Sequence, residues 1–121
     1  MNSPLPQLPK LYTHPLISSD LEELKSTQLQ LIALNLIEQL VHGSIRGKRL
    51  EDHEKIGDLS DYYKIYFDID KNRPPRYRIV YQYIPNSGAP TQLQIIVIAS
   101  RENLEVYKEA IKRLKDLPSR D

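Results

Sequence analysis

Three strand-like segments in series, separated only by short turns, constrain the fold of this chain more than any other feature. Residues 62–69 and 76–84 alternate between apolar and polar side chains with a period of two, which is typical of strands with one buried face. Residues 92–99 are apolar on both faces, as expected of a strand inside a sheet. Because prolines mark both short connections as turns, we predict an antiparallel meander.

The alternation assigns side chains of the first two strands to opposite faces of the predicted sheet. One face carries Tyr63, Ile65, Phe67, Ile69, Tyr77, Ile79, Tyr81 and Tyr83. The other face presents Lys64, Tyr66, Arg76 and Arg78. We therefore expect the first face to pack into a core and the second to hold any polar chemistry.

Two helices are predicted before the strands. Residues 19–22 and 27–30 each have the form of a capping box, a hydroxyl answered three residues later by a carboxylate or an amide. They indicate a short helix near 20–25 and a longer one from about 28 to 42, ended by Gly43. One continuous helix over both segments is the alternative.

The remaining segments complete a prediction of fold class. Residues 1–10 contain three prolines and read as a flexible arm, 11–17 as a short edge strand, and 43–60 as a connecting loop. Apolar residues at helical spacing predict a C-terminal helix, namely Tyr107, Ile111 and Leu114. The prediction is an α+β domain over 11–117 with a tail at 118–121. A small antiparallel sheet of three to four strands carries the two N-terminal helices on one face.

Composition excludes several classes of function. With 17 basic and 16 acidic residues, the net charge of +1 does not by itself indicate nucleic acid or membrane. Cysteine is absent and the three histidines are scattered, so no metal site and no cofactor are expected. Residues 29–41, the longest apolar stretch, are interrupted by polar side chains and cannot span a bilayer. With no signal peptide visible, we expect a cytoplasmic protein.

The positive charge is concentrated in the second half of the chain. Residues 62–101 hold six cations against two acids. Lys64 and Arg78 can point the same way from neighbouring strands, Arg101 follows the third strand, and Tyr107 comes six residues later. Cations can stabilise a pentacovalent phosphorus and favour a phenolate, so this set suits a phosphate-bearing substrate such as RNA. The alternative is structural, with solvated cations and a core tyrosine.

Four stretches in the same order resemble the RelE branch of the RelE/ParE toxin superfamily. They are LSDYYKI at 59–65, RYRIVYQ at 76–82, SRE at 100–102 and the helix that begins with EVY at 105–107. The resemblance covers about the C-terminal half of the chain. It implies a RelE-like fold and a small toxin that cleaves mRNA in the ribosomal A site without a metal. It also implies neutralisation by a RelB-like antitoxin.

The resemblance implies a role for each matched residue. Lys64 resembles the lysine of proton transfer or charge stabilisation, and Arg78 the arginine that binds the scissile phosphate. Arg101 resembles the arginine that stabilises the transition state or the leaving group. Tyr107 resembles the tyrosine that stacks on or activates the nucleotide.

Two further residues are predicted to bind substrate, and the chain departs from the family pattern in two places. Tyr66 and Arg76 lie on the polar face, and we predict that both contact the substrate. RelE has a second lysine at the position of Tyr66. Its first helices are also basic, whereas residues 19–43 here contain only Lys25 against four acids.

Three functions are therefore carried forward. The first is a metal-independent endoribonuclease toxin with mRNA, the ribosome and an antitoxin as partners, and no membrane. The second is a ParE-like gyrase inhibitor, which would share the fold but would inhibit supercoiling without breaking mRNA. The third is a decayed, non-catalytic toxin that only binds an antitoxin.

Overall fold

A computed structural model describes residues 8–50, 61–85, 88–100 and 105–116. Within them the elements in chain order are β1 (Lys10–Thr13), α1 (Ile17–Glu23), α2 (Thr27–His42), β2 (Lys48–Arg49), β3 (Tyr63–Phe67), β4 (Tyr77–Ile84), β5 (Gln92–Ser100) and α3 (Glu105–Asp116). The strands form one sheet in the order β1-β5-β4-β3-β2. β1 runs parallel to β5 and every other neighbouring pair is antiparallel.

The predicted α+β class and the central meander are confirmed, but the sheet is larger and mixed. It has five strands where three to four antiparallel strands were expected. β1 is an edge strand, as predicted, but its parallel pairing was not foreseen. β2 lies in the segment that was predicted to be a loop. The sequence did not reveal this strand, because two residues are too few to show an alternating pattern.

The two N-terminal helices are separate, so the alternative of one continuous helix is wrong. Lys25 lies between them with a φ of 56°, a left-handed conformation that interrupts the helical backbone. The capping box at 19–22 is wrong, since α1 starts earlier and its N-cap is Leu16, without a side-chain cap. In α2 the N-cap is Ser26, one residue before the predicted box, and its Oγ accepts a hydrogen bond from the Leu29 amide at 3.2 Å.

Both faces of the sheet are covered, and each has its own hydrophobic core. The first core joins α1 and α2 to the sheet, and its fully or nearly buried members include Leu29, Ala33, Ile37, Leu40, Ile79, Tyr81, Leu93 and Ile95. The second core joins α3 to the opposite face and includes Leu50, Val80, Ile96, Val97, Val106, Tyr107 and Ala110. α3 therefore covers the face on which the sequence predicts polar chemistry.

A buried ion pair closes the edge of β5 beyond the end of β1. β1 pairs with β5 only as far as Ile95. Further along, the Ile98 amide donates to Asp20 Oδ2 at 3.0 Å, and the Ile96 carbonyl accepts from Arg113 Nη1 at 3.0 Å. Asp20 and Arg113 join each other through two hydrogen bonds of 2.6 and 2.7 Å. Side chains from α1 and α3 thus occupy the edge positions that a longer β1 would have filled.

Parts of the predicted domain organisation lie outside the described residues. These are residues 1–7 of the predicted arm, most of the predicted loop at 51–60, and the tail at 118–121. Lys10, the last residue of the predicted arm, begins β1. Among the residues that the structure describes, none of the helices is long and apolar enough to cross a membrane.

Candidate functional site

The strand register brings predicted site residues to one face of the sheet. Tyr66 lies directly opposite Arg78 on the neighbouring strand, and Lys64 lies opposite Val80. Residues that oppose each other in an antiparallel pair point to the same face. Since Val80 belongs to the core beneath α3, Lys64, Tyr66 and Arg78 all lie on the α3 side of the sheet.

Two cations and two phenol rings are in contact there. The guanidinium carbon of Arg78 lies 4.4 Å from the centre of the Tyr66 ring and 5.2 Å from that of Tyr107. The Lys64 Nζ lies 5.4 Å from the centre of the Tyr66 ring and 6.0 Å from that of Tyr107. These are distances at which a cation is attracted to an aromatic face. We call Lys64, Tyr66, Arg78 and Tyr107 the basic tyrosine cluster.

The two tyrosines of the cluster differ in exposure. Tyr107 is only 1% exposed and belongs to the core beneath α3. Tyr66, Lys64 and Arg78 are half-buried, so these three side chains are partly open to solvent. Tyr107 thus supports the cluster from the core, whereas Tyr66 is the phenol that a bound molecule would meet.

The surroundings of Tyr66 favour its ionised form. Partial burial raises the pKa of the Tyr66 phenol, but hydrogen bonding to Lys64 and the positive charges of Arg78, Lys64 and Lys48 act in the opposite direction. The balance lowers the pKa of Tyr66 below its ordinary value. A phenol of this kind can exchange protons more readily than an isolated tyrosine.

Lys48 is a further candidate site residue, which the sequence reasoning missed. It lies opposite Lys64 in the pairing of β2 with β3, so the two lysines share a face. Leu50, two residues later, is buried in the same core as Tyr107, which agrees with that orientation. Lys48, Lys64 and Arg78 therefore form a row of cations across three strands. The only signal in the sequence was the Lys48–Leu50 spacing.

Arg76, predicted to bind substrate, is already engaged by a carboxylate. Its Nε and Nη2 donate to Asp68 at 2.8 and 3.0 Å, and its backbone amide donates to Asp68 at 3.0 Å. These hydrogen bonds hold the pKa of the Asp68 carboxyl well below its usual range, although burial opposes them. The carboxylate of Asp68 thus largely balances the positive charge of Arg76, next to the row of cations.

The last predicted site residue, Arg101, lies outside the described residues, and its role stays a prediction. Ser100, immediately before it, ends β5 opposite Tyr77. Among the described residues, no cluster of histidine, aspartate and glutamate could hold a metal ion.

A cavity of about 620 Å³ lies away from the basic tyrosine cluster, between α1, α3 and the edge of β5. Its charged lining consists of Asp20, Glu23, Glu109 and Arg113. Three acids against one buried arginine give it a charge unsuited to a phosphate. The basic tyrosine cluster, rather than this cavity, is therefore the candidate site for the chemistry that the sequence predicts.

Comparison with known proteins supports one structural relationship. No protein-family model matches the chain, and no curated protein matches it. A solved structure of the E. coli toxin RelE, a free-state mutant with two arginines replaced by alanine, matches with a TM-score of 0.60 and 25% sequence identity. The match covers 89% of this chain and 99% of that chain. The chain therefore has a RelE-like toxin fold, which confirms the resemblance at the level of structure.

Proposed function

We propose that this chain is the toxin of a type II toxin–antitoxin system and a metal-independent endoribonuclease that cleaves mRNA on the ribosome. One observation carries the proposal. On a RelE-like fold, Lys64 and Arg78 lie together on one face of the sheet, in contact with two tyrosines. This combination of paired cations and phenols suits a reaction at a phosphodiester.

In the proposed reaction the scissile phosphate binds between Lys64 and Arg78. The ribose 2′-hydroxyl attacks the phosphorus in line, and the two cations stabilise the extra negative charge of the pentacovalent transition state. The bond from phosphorus to the 5′ oxygen then breaks. The products are a 2′,3′-cyclic phosphate and a 5′-hydroxyl end, so neither a metal nor a protein nucleophile is required.

Tyr107, Arg101 and Arg76 take supporting roles in the proposal. The Tyr107 ring lies in contact with both cluster cations and holds them from the core side. Direct stacking of Tyr107 on a nucleotide, which the resemblance implies, would require α3 to move, since the residue is 1% exposed. Arg101 stabilises the leaving group by resemblance. Arg76 contacts the RNA backbone next to the site through the exposed part of its side chain, while it stays paired with Asp68.

The low positive charge of α1 and α2 supports a second candidate function, that of a non-catalytic toxin. Lys25 is the only cation between residues 19 and 43, where RelE carries several. Phosphate contacts supply most of the affinity of a protein for RNA, so α1 and α2 offer little to ribosomal RNA. A decayed toxin that only binds an antitoxin would keep the fold without such contacts.

Induced expression and a translating extract test the proposal together. We expect growth arrest and mRNA breaks with the wild type, and loss of both with Arg78→Ala or Arg101→Ala. Tyr107→Phe keeps the ring that contacts both cations, so it should slow cleavage less than either arginine variant. Arg73→Ala is the matched control, because Arg73 has an 82% exposed side chain and pairs only loosely with Asp70 at 3.4 Å.

Each alternative has its own outcome in these assays. Intact mRNA with inhibited supercoiling would show a ParE-like gyrase inhibitor. A harmless protein that captures a RelB-like antitoxin would show the non-catalytic class. Toxicity that survives both Arg78→Ala and Arg101→Ala would refute the assignment of the site.

A further inference from the structure

Tyr66 stands at the centre of the cation row. It faces Arg78 across the β3–β4 pairing, and Lys64 lies two residues before it on the same side of β3. Lys48 faces Lys64 from β2. A phosphate bound between Lys64 and Arg78 would therefore lie beside the half-buried Tyr66 phenol, within the reach of its hydroxyl.

We propose that Tyr66 is a catalytic residue that accepts the proton of the attacking ribose 2′-hydroxyl, with Lys64 as the donor to the leaving 5′ oxygen. This inference rests on the proposed function and deepens it. The family pattern has a second lysine at this position.

Among the residues that the structure describes, four charged or titratable groups face Tyr66. They are Lys48 from β2, Lys64 from β3, Arg78 from β4 and the Tyr107 phenol from α3. The acid that follows on the same side of β3, Asp68, is held by three hydrogen bonds to Arg76 and so is not presented to the phosphate.

A row of cations prepares a tyrosine and a lysine for the same task. In a lysine the basic form is the neutral amine, and neighbouring positive charges favour it by disfavouring the ammonium. In a tyrosine the basic form is the phenolate, and the same charges favour it by attraction. The electrostatic field around position 66 therefore produces a base from either side chain. The lowered pKa of Tyr66 agrees with this reasoning.

The proposed step balances without a co-reactant. The Tyr66 phenolate takes the 2′-hydroxyl proton while the 2′ oxygen forms its bond to phosphorus. The electron pair of the breaking bond stays on the 5′ oxygen, which takes a proton from the Lys64 ammonium. The neutral Lys64 amine then takes the new proton of the Tyr66 hydroxyl, and both groups return to their starting states.

Single-turnover cleavage of a short mRNA on purified, programmed ribosomes tests the inference. Tyr66→Phe should slow cleavage by about 10²–10⁴-fold, the usual contribution of a general base. The rise of the wild-type rate with pH should also be lost. Binding to ribosomes that carry the same mRNA with a 2′-deoxy sugar at the cleavage position should be unchanged. Tyr66→Lys should recover part of the rate.

Two variants on β2 provide a matched pair for the pH profile. Lys48→Ala removes one of the charges that favour the phenolate, so its profile should shift to higher pH while cleavage persists. Arg49→Ala removes the next cation along the chain. Arg49 pairs with Tyr63 and so lies on the face of the sheet opposite to the cation row. Its Nη2 donates to Asp61 at 3.4 Å. Removing the Arg49 side chain should therefore leave the pH profile of cleavage unchanged.

The possible failures are distinguishable. If the wild type does not cleave the mRNA, the proposed function is refuted and this inference with it. If the wild type cleaves and Tyr66→Phe cleaves at the same rate with the same pH profile, the proposed function stands and the role of Tyr66 is refuted. If Tyr66→Phe loses affinity in proportion to rate and keeps the profile, Tyr66 only binds RNA, which also overturns the inference.

Discussion

Replacing Asp20 by asparagine should destabilise the fold through one buried contact. Asp20 and Arg113 are 8% and 5% exposed and are joined by two short hydrogen bonds. Asparagine keeps an oxygen that can accept from the Ile98 amide, but it removes the negative charge. That oxygen can also still accept from Arg113 Nη1, but Arg113 Nη2 loses its acceptor, and the Glu109 carboxylate becomes the one negative charge that the described residues place against the buried guanidinium.

The size of this effect follows from the burial of the pair. Breaking a buried ion pair on one side typically costs about 3–5 kcal/mol. We expect the lower end of this range, about 3 kcal/mol, because Glu109 lies 2.8 Å from Arg113 Nε and still compensates part of the charge. With a slope of roughly 2 kcal/mol per molar urea, the unfolding midpoint should fall by about 1.5 M.

Urea unfolding, followed by circular dichroism, measures this change, and two further variants sharpen it. Glu109→Gln alters the partner whose side chain is 33% exposed and should cost about 1 kcal/mol or less. Replacing the whole pair in Asp20→Leu/Arg113→Met removes both charges. It should still leave the protein less stable than wild type, since the Ile98 amide and the Ile96 carbonyl lose partners at about 1–3 kcal/mol each.

A small effect would contradict this account of the β5 edge. If Asp20→Asn costs less than about 1 kcal/mol, the pair is not a buried ion pair of the kind described. If the double replacement restores wild-type stability, the backbone groups of β5 do not depend on the two side chains.

Two further predictions concern the loop before β2 and the end of the cation row. A Cβ at Gly47 would clash with the Lys64 carbonyl oxygen and lie 2.9 Å from the Tyr81 hydroxyl, so Gly47→Ala should cost at least about 1–3 kcal/mol in thermal unfolding. The Asp68 carboxylate contributes stability above its unfolded pKa of about 3.9, and this is lost as pH falls through its depressed folded value. In Arg76→Gln the carboxylate of Asp68 loses the charged hydrogen bonds of the guanidinium. The pKa of Asp68 should rise part of the way towards its unfolded value, as a carbon NMR titration would show.

The parts of the fold that repeat a local pattern could be predicted from the sequence. The predicted bounds of β3, β4 and β5 differ from the observed ones by at most two residues. Each strand is defined by its own alternating or apolar pattern and by the turn residues that flank it. The longer helix was placed equally well, since it combines an apolar face with a terminal Gly43 at a φ of 75°.

The features that depend on distant partners could not be predicted. β1 has only four residues and takes its parallel alignment entirely from β5. Asp20 reads as a carboxylate in the first turn of a helix, yet it is held by Arg113, 93 residues later in the chain. No local pattern reports such a pairing, because both residues are polar and would be expected at the surface.

The candidate site was predictable in part for the same reason. The period-two alternation of the two strands predicted that Lys64, Tyr66 and Arg78 share one face of the sheet. The structure brings these three residues together with Tyr107. Lys48 was missed because its strand has only two residues. The relative exposure of the two tyrosines was also beyond the sequence, since it depends on how α3 packs over the sheet.

The chemistry of the mRNA ends tests the central claim most directly. The purified protein would be added to a translating extract. The recovered mRNA would be mapped for breaks, and the chemical ends at each break would be identified. The account predicts breaks that end in a 2′,3′-cyclic phosphate and a 5′-hydroxyl, made by the wild type and by Arg73→Ala but not by Arg78→Ala. Intact mRNA with the folded wild-type protein, or the same breaks with Arg78→Ala, would contradict it.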